Sequence, residues 1–215
     1  MPEPGTSLPV VYLLRVVLRG ISPLIWRRLL VAGDTSIAGL HDVLQVAFGW
    51  SGDHLHCFKV HGREYGLCYD GGPIFRDDAR RVRLCDLGLR AGERFACDYD
   101  LGAVWRHDLR VEQMLGPGTG RSYPRCTGGG RAGPPEGCGG PEAFMEASQP
   151  HRLVEVVTRV AGIIEEALDD VSVLDDRYEE LICLRPWLMT ERFDRRALNK
   201  TLAALSEGER TRKAA

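Results

Sequence analysis

From Val10 to Met114 the apolar residues fall largely at every second position, and from His151 onward they fall at every third or fourth. Period two marks a strand with one buried face, and a period near 3.6 marks an amphipathic helix. Strand signals first and helix signals last favour segregated layers: an α+β fold with an antiparallel-rich sheet, covering helices and a helical C-terminal part. Val10 to Arg19 and Leu24 to Val31 read as strands joined by the turn Gly20-Ile21-Ser22-Pro23. Ile37, Leu40, Val43, Leu44, Ala47 and Phe48 then predict a helix that Asp34, Thr35 or Ser36 can cap and Gly49 can end. His54 to His61 alternates again, placing His54, His56, Phe58 and Val60 on one face, with Arg63 to Tyr69 as its hairpin partner across Gly62. Residues 70–82 read as a charged connector and Leu84 to Leu87 as a helical turn, and Glu93 to Asp100 pairs with Trp105 to Met114 around Gly102.

Residues 116–141 are dominated by Gly and Pro, which predicts a loop and no element. Beyond it, Leu153, Val156, Val157, Val160, Ile163, Ile164, Ala167 and Leu168 line one face of a helix, and Leu198, Leu202 and Leu205 mark a last helix from about Asp194 to Leu205. The expected organisation is a flexible tail (1–9), an α+β domain (10–150) containing the 116–141 loop, C-terminal helices packed on it (151–205) and a second flexible tail (206–215).

Composition narrows the functional classes. At 215 residues the chain can bury a real core. A net charge of −2 argues against a non-specific nucleic-acid binder. Only Lys59, Lys200 and Lys213 are lysines, an arginine bias that fits a GC-rich bacterial genome. No export signal and no long apolar run is read, so the expected location is the cytoplasm, away from membranes. The seven cysteines form no CxxC pair and are expected as reduced thiols, mostly buried.

Several side chains carry possible chemistry. Arg27 and Arg28 in Ile25-Trp-Arg-Arg28 can grip a phosphate or carboxylate, or snorkel over a sheet. His54 and His56 on one strand face, with His107, Cys126 and Cys138, are the candidate ligands for zinc; the alternative is hydrogen-bonded structural histidines and no cofactor. Asp98, Asp100, His107 and Glu136 are the acid–base candidates, since a carboxylate-oriented histidine is the usual pair. No GxSxG, HExxH or P-loop supplies a nucleophile or phosphate cradle, and the plainer account has Asp100 and Gly102 building a turn while His107 finds a carbonyl. Pro134-Pro-Glu-Gly-Cys-Gly-Gly140 offers either an anion nest or a tether in which Glu136 ties down a neighbouring strand.

Six blocks in order resemble the plasmid Ri ORF-3-like family, also known as insertion-element passenger "TnpR" proteins. They are Gly20-Ile-Ser-Pro-Leu-Ile-Trp-Arg-Arg28, the helix ending Phe48-Gly-Trp50, His54-Leu-His-Cys-Phe58, Tyr99-Asp-Leu-Gly-Ala-Val-Trp-Arg-His107, Tyr123-Pro-Arg-Cys126 and Pro134-Pro-Glu-Gly-Cys-Gly-Gly-Pro141. The resemblance implies an α+β fold and a link to plasmids or transposable elements, and no established activity. Against the family pattern, Ala103, Gly128 and Gly137 stand at Asp positions, Gly133 at a Cys position and Leu101 at a Phe position. Such losses imply a degenerate site. No serine stands on the first strand for a serine recombinase. The expectation is therefore a non-enzymatic accessory protein that binds a protein or small molecule in a pocket formed by Arg27, Arg28, His54, His56, Trp105 and Tyr123. The alternatives are a metal-dependent or acid–base hydrolase at that pocket, and DNA binding through the basic C-terminal helix.

Overall fold

The computed structural model describes residues 10–68 and 74–214, without the side chains of 150, 151 and 209–214. The expected N-terminal tail and Tyr69 lie outside the described residues. Eight strands form one sheet: β1 (Val11–Leu18), β2 (Trp26–Ala32), β3 (His56–Val60), β4 (Arg63–Gly66), β5 (Asp77–Asp78), β6 (Arg94–Tyr99), β7 (Trp105–Leu115) and β8 (Arg125–Gly130). Their spatial order is β5-β4-β3-β6-β7-β1-β2-β8, and every pair is antiparallel except β4 with β5. The helices are α1 (Ile37–Phe48), α2 (Pro141–Ala147), α3 (Pro150–Asp169), the short α4 (Val173–Asp176), α5 (Tyr178–Leu188) and α6 (Arg195–Ala214). The α+β reading, with an antiparallel-rich sheet and a helical C-terminal part, holds.

Alternation decides the core. Tyr12, Leu14, Val16 and Leu18 of β1 join Leu29 and Val31 of β2, Phe58 of β3, Phe95 and Tyr99 of β6 and Leu109 and Val111 of β7 in one buried cluster. Ile37, Leu40, Val43, Leu44, Ala47 and Phe48 of α1 belong to the same cluster, as their helical spacing requires. Ser36 caps α1 by accepting the Gly39 N–H at 3.0 Å, and Gly49 ends it at φ 79°, the left-handed conformation that favours glycine.

The segment 116–141 departs from expectation, because β8 lies within it and pairs antiparallel with β2. Glycine hides this strand from a propensity reading, yet here glycine is what lets the strand form. A Cβ at Gly130 would sit 2.8 Å from Trp26 Nε1, and one at Gly129 would sit 2.5 Å from the Phe193 ring. Both faces of β8 are covered by large side chains that leave no room for another. Asn199 of α6 then closes the far edge, accepting the Cys126 N–H at 2.8 Å and donating to its carbonyl at 3.0 Å.

The C-terminal helices also differ in detail. Helix α6 runs past Leu205 to Ala214 and docks Leu198 and Leu202 into the core. Helix α3 packs chiefly on α5, where Arg159 is paired with Glu180. Of its apolar stripe Ile163 is fully buried, whereas Val157, Ile164 and Leu168 stay exposed. Among the described residues no helix is long and apolar enough to cross a membrane.

Candidate functional site

Period two in β3, β6 and β7 gathers the chemistry-bearing rings on the inner face. Register pairs His56 with Tyr99, Tyr99 with Trp105, and Cys97 with His107, so these side chains share that face. Helix α1 adds His41 from above, one turn after Ile37 and one before Gln45. The His41 and His56 rings stack with centroids 3.6 Å apart, and Gln45 Nε2 lies 3.2 Å from His41 Nδ1. Trp50, just past the α1 cap, touches Tyr99, Trp105 and His107 at centroid distances of 5.3, 5.4 and 5.4 Å. The imidazoles of His41, His56 and His107 and the tryptophan hairpin thus converge within the buried core.

Burial sets the protonation of this cluster. Desolvation pulls His41 down to about 3, helped by the neighbouring His56 and His107. It pulls His56 down to about 4, and His107 to about 4 against the opposing effect of the Cys97 carbonyl 3.2 Å from Nδ1. All three are neutral at physiological pH, and a base so far below neutrality gains little by taking a proton. His54 is not in β3 at all; it is exposed before the strand, edge-on to Tyr99 at 5.7 Å.

The proposed carboxylate–histidine pair does not assemble. Asp98 is one residue removed from Cys97, so it lies on the opposite face from His107 and pairs with Lys59 Nζ at 2.8 Å. Asp100 builds the β6–β7 turn, its Oδ1 accepting the Gly102 N–H at 3.2 Å, and His107 finds a carbonyl. Arg28 is bound to Glu112 with Nε to Oε2 at 2.6 Å. The thiols are no better placed for nucleophilic work: burial pushes Cys57 up to about 11, Cys97 well above its usual range, and Cys126 and Cys138 upward. Tyr123 Oη accepts the Gly118 N–H at 3.0 Å in the segment before β8. Among the described residues no three His, Cys, Asp or Glu side chains are placed to hold a metal ion.

Glu136 ties the glycine-rich segment to the core. Its Oε1 accepts the Tyr99 hydroxyl and its Oε2 accepts the Ser51 N–H at 2.6 Å, while Trp50 Nε1 donates to the Pro134 carbonyl at 2.8 Å. Burial raises the Glu136 carboxyl, and these two donors outweigh that and leave it below its ordinary value. Tyr99 is driven up to about 12 by burial and by the same bond. Gly133 sits so close to α1 that a Cβ would lie 1.9 Å from the Phe48 carbonyl oxygen. No side chain has room there in this packing.

An open cleft lies elsewhere. A cleft of about 910 Å³ runs between the end of α1, residues 132–138, α5 and the start of α6. Of the residues singled out from sequence, Arg27, Glu136 and Cys138 line it, whereas Arg28, His54, His56, Asp98, Asp100, Trp105, His107, Tyr123 and Cys126 do not. Arg27 is 2 % exposed, with Nε donating to the Ala47 carbonyl at 2.8 Å and Nη1 to those of Trp26 and Gly130 at 2.8 and 3.1 Å. Its guanidinium lies over the Phe193 and Phe48 rings at 4.3 and 5.0 Å. Burial lowers it to about 10, so it stays charged, and among the described residues it has no carboxylate partner. Arg185, Arg192 and Trp187 line the same cleft. Its two acids are engaged elsewhere: Glu136 as above, and Asp194 capping α6 through the Arg196 and Ala197 N–H groups at 2.8 and 3.0 Å. Sequence reading missed His41 and Gln45, and it gave Arg185 and Arg192 to the basic C-terminal part as DNA-binding candidates and not to a cleft. For His41 the signal was present, since it lies one turn from both Ile37 and Gln45 on the buried stripe.

Comparison with known proteins agrees with this fold. Residues 10–152 match the sequence model of the family described as plasmid pRiA4b ORF-3-like protein. An uncharacterised protein, y4hQ of Sinorhizobium fredii, is 34% identical over 137 residues, covering 62% of this chain and 69% of that one. The crystal structure of a protein of unknown function, MM3350 from Methanosarcina mazei Go1, superposes with a TM-score of 0.62 at 27% identity, covering 88% of this chain and 97% of that one. The match over the sheet, the histidine cluster and the glycine-rich segment together shows that the chain belongs to the plasmid pRiA4b ORF-3-like family.

Proposed function

We propose that the protein is a non-enzymatic accessory protein of a mobile element, a module that binds a small anionic molecule in the cleft between α1, α5 and α6. The observation that carries this reading is Arg27: a buried, charged guanidinium with no carboxylate partner among the described residues, lining an open cleft. A buried cation without a counter-ion is costly, and an anionic ligand supplies the missing charge. Arg185 and Arg192 add positive charge at the rim, and Trp187 and Phe193 add flat apolar surface for the rest of the ligand. The sealed, neutral histidines and raised thiols support binding over turnover.

The test is thermal unfolding of the purified protein with inorganic phosphate, citrate and a panel of other small carboxylates and phosphates. A rise in melting temperature that saturates with at least one of them, and is lost in Arg185→Ala/Arg192→Ala, is expected. No shift with any anion, or a shift that the double variant retains, contradicts the reading. So does hydrolysis of ester, phosphoester or amide substrates by the same preparation.

A further inference from the structure

The outer face of the sheet carries a feature that the cleft does not explain. Register places Arg28 of β2 opposite Arg15 of β1, Arg15 opposite Arg110 of β7, and Arg110 opposite Arg94 of β6. Four arginines therefore stand in one row across four adjacent strands, a span of about 14 Å at the usual strand spacing. Like charges directly opposed across a sheet are destabilising, and within the row, among the described residues, only Arg28 is neutralised, by Glu112. Arg94 and Arg110 are exposed and Arg15 is half-buried. The neighbouring rows add Arg19 and Arg106, which share Asp108 at 3.0 and 3.4 Å, and Lys59, which is paired with Asp98 at 2.8 Å. Two shallow hollows of about 300 and 380 Å³ adjoin at Arg94 and Asp108, lined by Arg15, Arg19 and Arg110 in the first and by Lys59, His61 and Arg106 in the second.

From this face we infer a second binding surface, one that takes a single-stranded nucleic acid with its phosphates along the arginine row. The charge pattern asks for a polyanion, and Trp26 selects the class. Its ring is half-buried on this same face, where a Cβ at Gly128 would meet it at 3.4 Å, and the Arg15 and Arg28 guanidinium carbons lie 5.2 and 5.7 Å from its centroid. The two guanidinium groups lie over the ring, and planar guanidinium groups backed by an aromatic on a sheet face form a stacking platform for an unpaired base. A duplex hides its base faces from such a ring. An anionic bilayer would call for protruding apolar side chains, and Leu24, half-exposed beside Arg19, is the main one bordering the first hollow. The protein's overall charge of −2 conceals the patch because the acids concentrate elsewhere, along α3 to α5.

The experiment is fluorescence anisotropy of labelled oligothymidine and oligouridine with the full chain. Three phosphate contacts to a single strand, from Arg15, Arg94 and Arg110, give a slope of log affinity on log salt near −2, so affinity falls roughly tenfold between about 0.05 and 0.15 M salt. Arg15→Glu and Arg110→Glu are each expected to weaken binding at least about tenfold, and Trp26→Leu to weaken it further without changing the salt slope. Among the described residues Arg15 and Arg110 make no ion pair, and a carboxylate at either position faces arginines, so both variants keep the fold, which circular dichroism checks. The cleft variant Arg185→Ala/Arg192→Ala is expected to bind the oligonucleotides like the parent, which separates this surface from the cleft. No oligonucleotide binding at low salt, binding unaffected by both charge reversals, or binding to anionic vesicles in place of the oligonucleotides overturns the inference.

Discussion

Acidification to about pH 5 should strongly destabilise this protein, and the buried histidines set the size of the effect. His41, His56 and His107 have an ordinary value of 6.5 and are held at about 3, 4 and 4 in the folded chain. A folded value below the unfolded one means that the unfolded chain binds more protons between them. Stability is therefore complete above about pH 7.5 and falls as pH drops through the unfolded value toward the folded one. At pH 5 the folded imidazoles remain neutral, so the loss is set by the unfolded value alone: about 2 kcal/mol for each histidine. Three of them cost about 6 kcal/mol, a large part of a typical 5–15 kcal/mol stability, with a limiting slope of about 4 kcal/mol per pH unit. Urea unfolding followed by circular dichroism at several pH values measures this slope directly. His107→Gln should remove about one third of it while lowering stability at neutral pH through the lost packing. A stability that is flat from pH 7 to 5, or a slope that this variant leaves unchanged, refutes the account of a sealed neutral cluster.

Further predictions follow from individual contacts. Gly133→Ala must push the 132–138 segment off the Phe48 carbonyl, at a cost of about 3 kcal/mol, whereas Gly137→Ala, with open space around it at φ 80°, should cost only about 1 kcal/mol; urea midpoints compare them. Glu136→Gln weakens the tether from Tyr99 and Ser51 by about 1–2 kcal/mol. It should also bring the Tyr99 hydroxyl down from about 12, read by tyrosinate absorbance against pH. Arg110→Glu replaces repulsion with attraction across two strand pairs and should stabilise the fold by about 0.5–1 kcal/mol, read from a raised urea midpoint, even as it weakens polyanion binding.

How far the sequence reveals this molecule depends on which residues carry the signal. Strands β1, β2, β6 and β7 and helix α1 announce themselves through alternation or helical spacing, because each buries one regular face. Strand β8 does not: its glycines are there to admit Trp26 and Phe193, a tertiary demand with no local trace. Helix α5 is masked by Pro186 within it, and α3 shows a periodic stripe that the fold leaves half open. For the site, alternation already separates Asp98 from His107, whereas the stacking of His41 on His56 requires knowing which strand lies under α1. The arginine row is invisible in sequence for the same reason, since Arg15, Arg28, Arg94 and Arg110 meet only through register.

The central claim is that the open cleft binds and the histidine cluster is scaffold. Amide and side-chain chemical-shift mapping during titration with citrate or inorganic phosphate tests it most directly. The account predicts saturable shifts centred on Arg27, Arg185, Trp187 and Arg192, with His41, His56 and His107 undisturbed. Shifts centred on those three imidazoles, with the cleft residues silent, would contradict it.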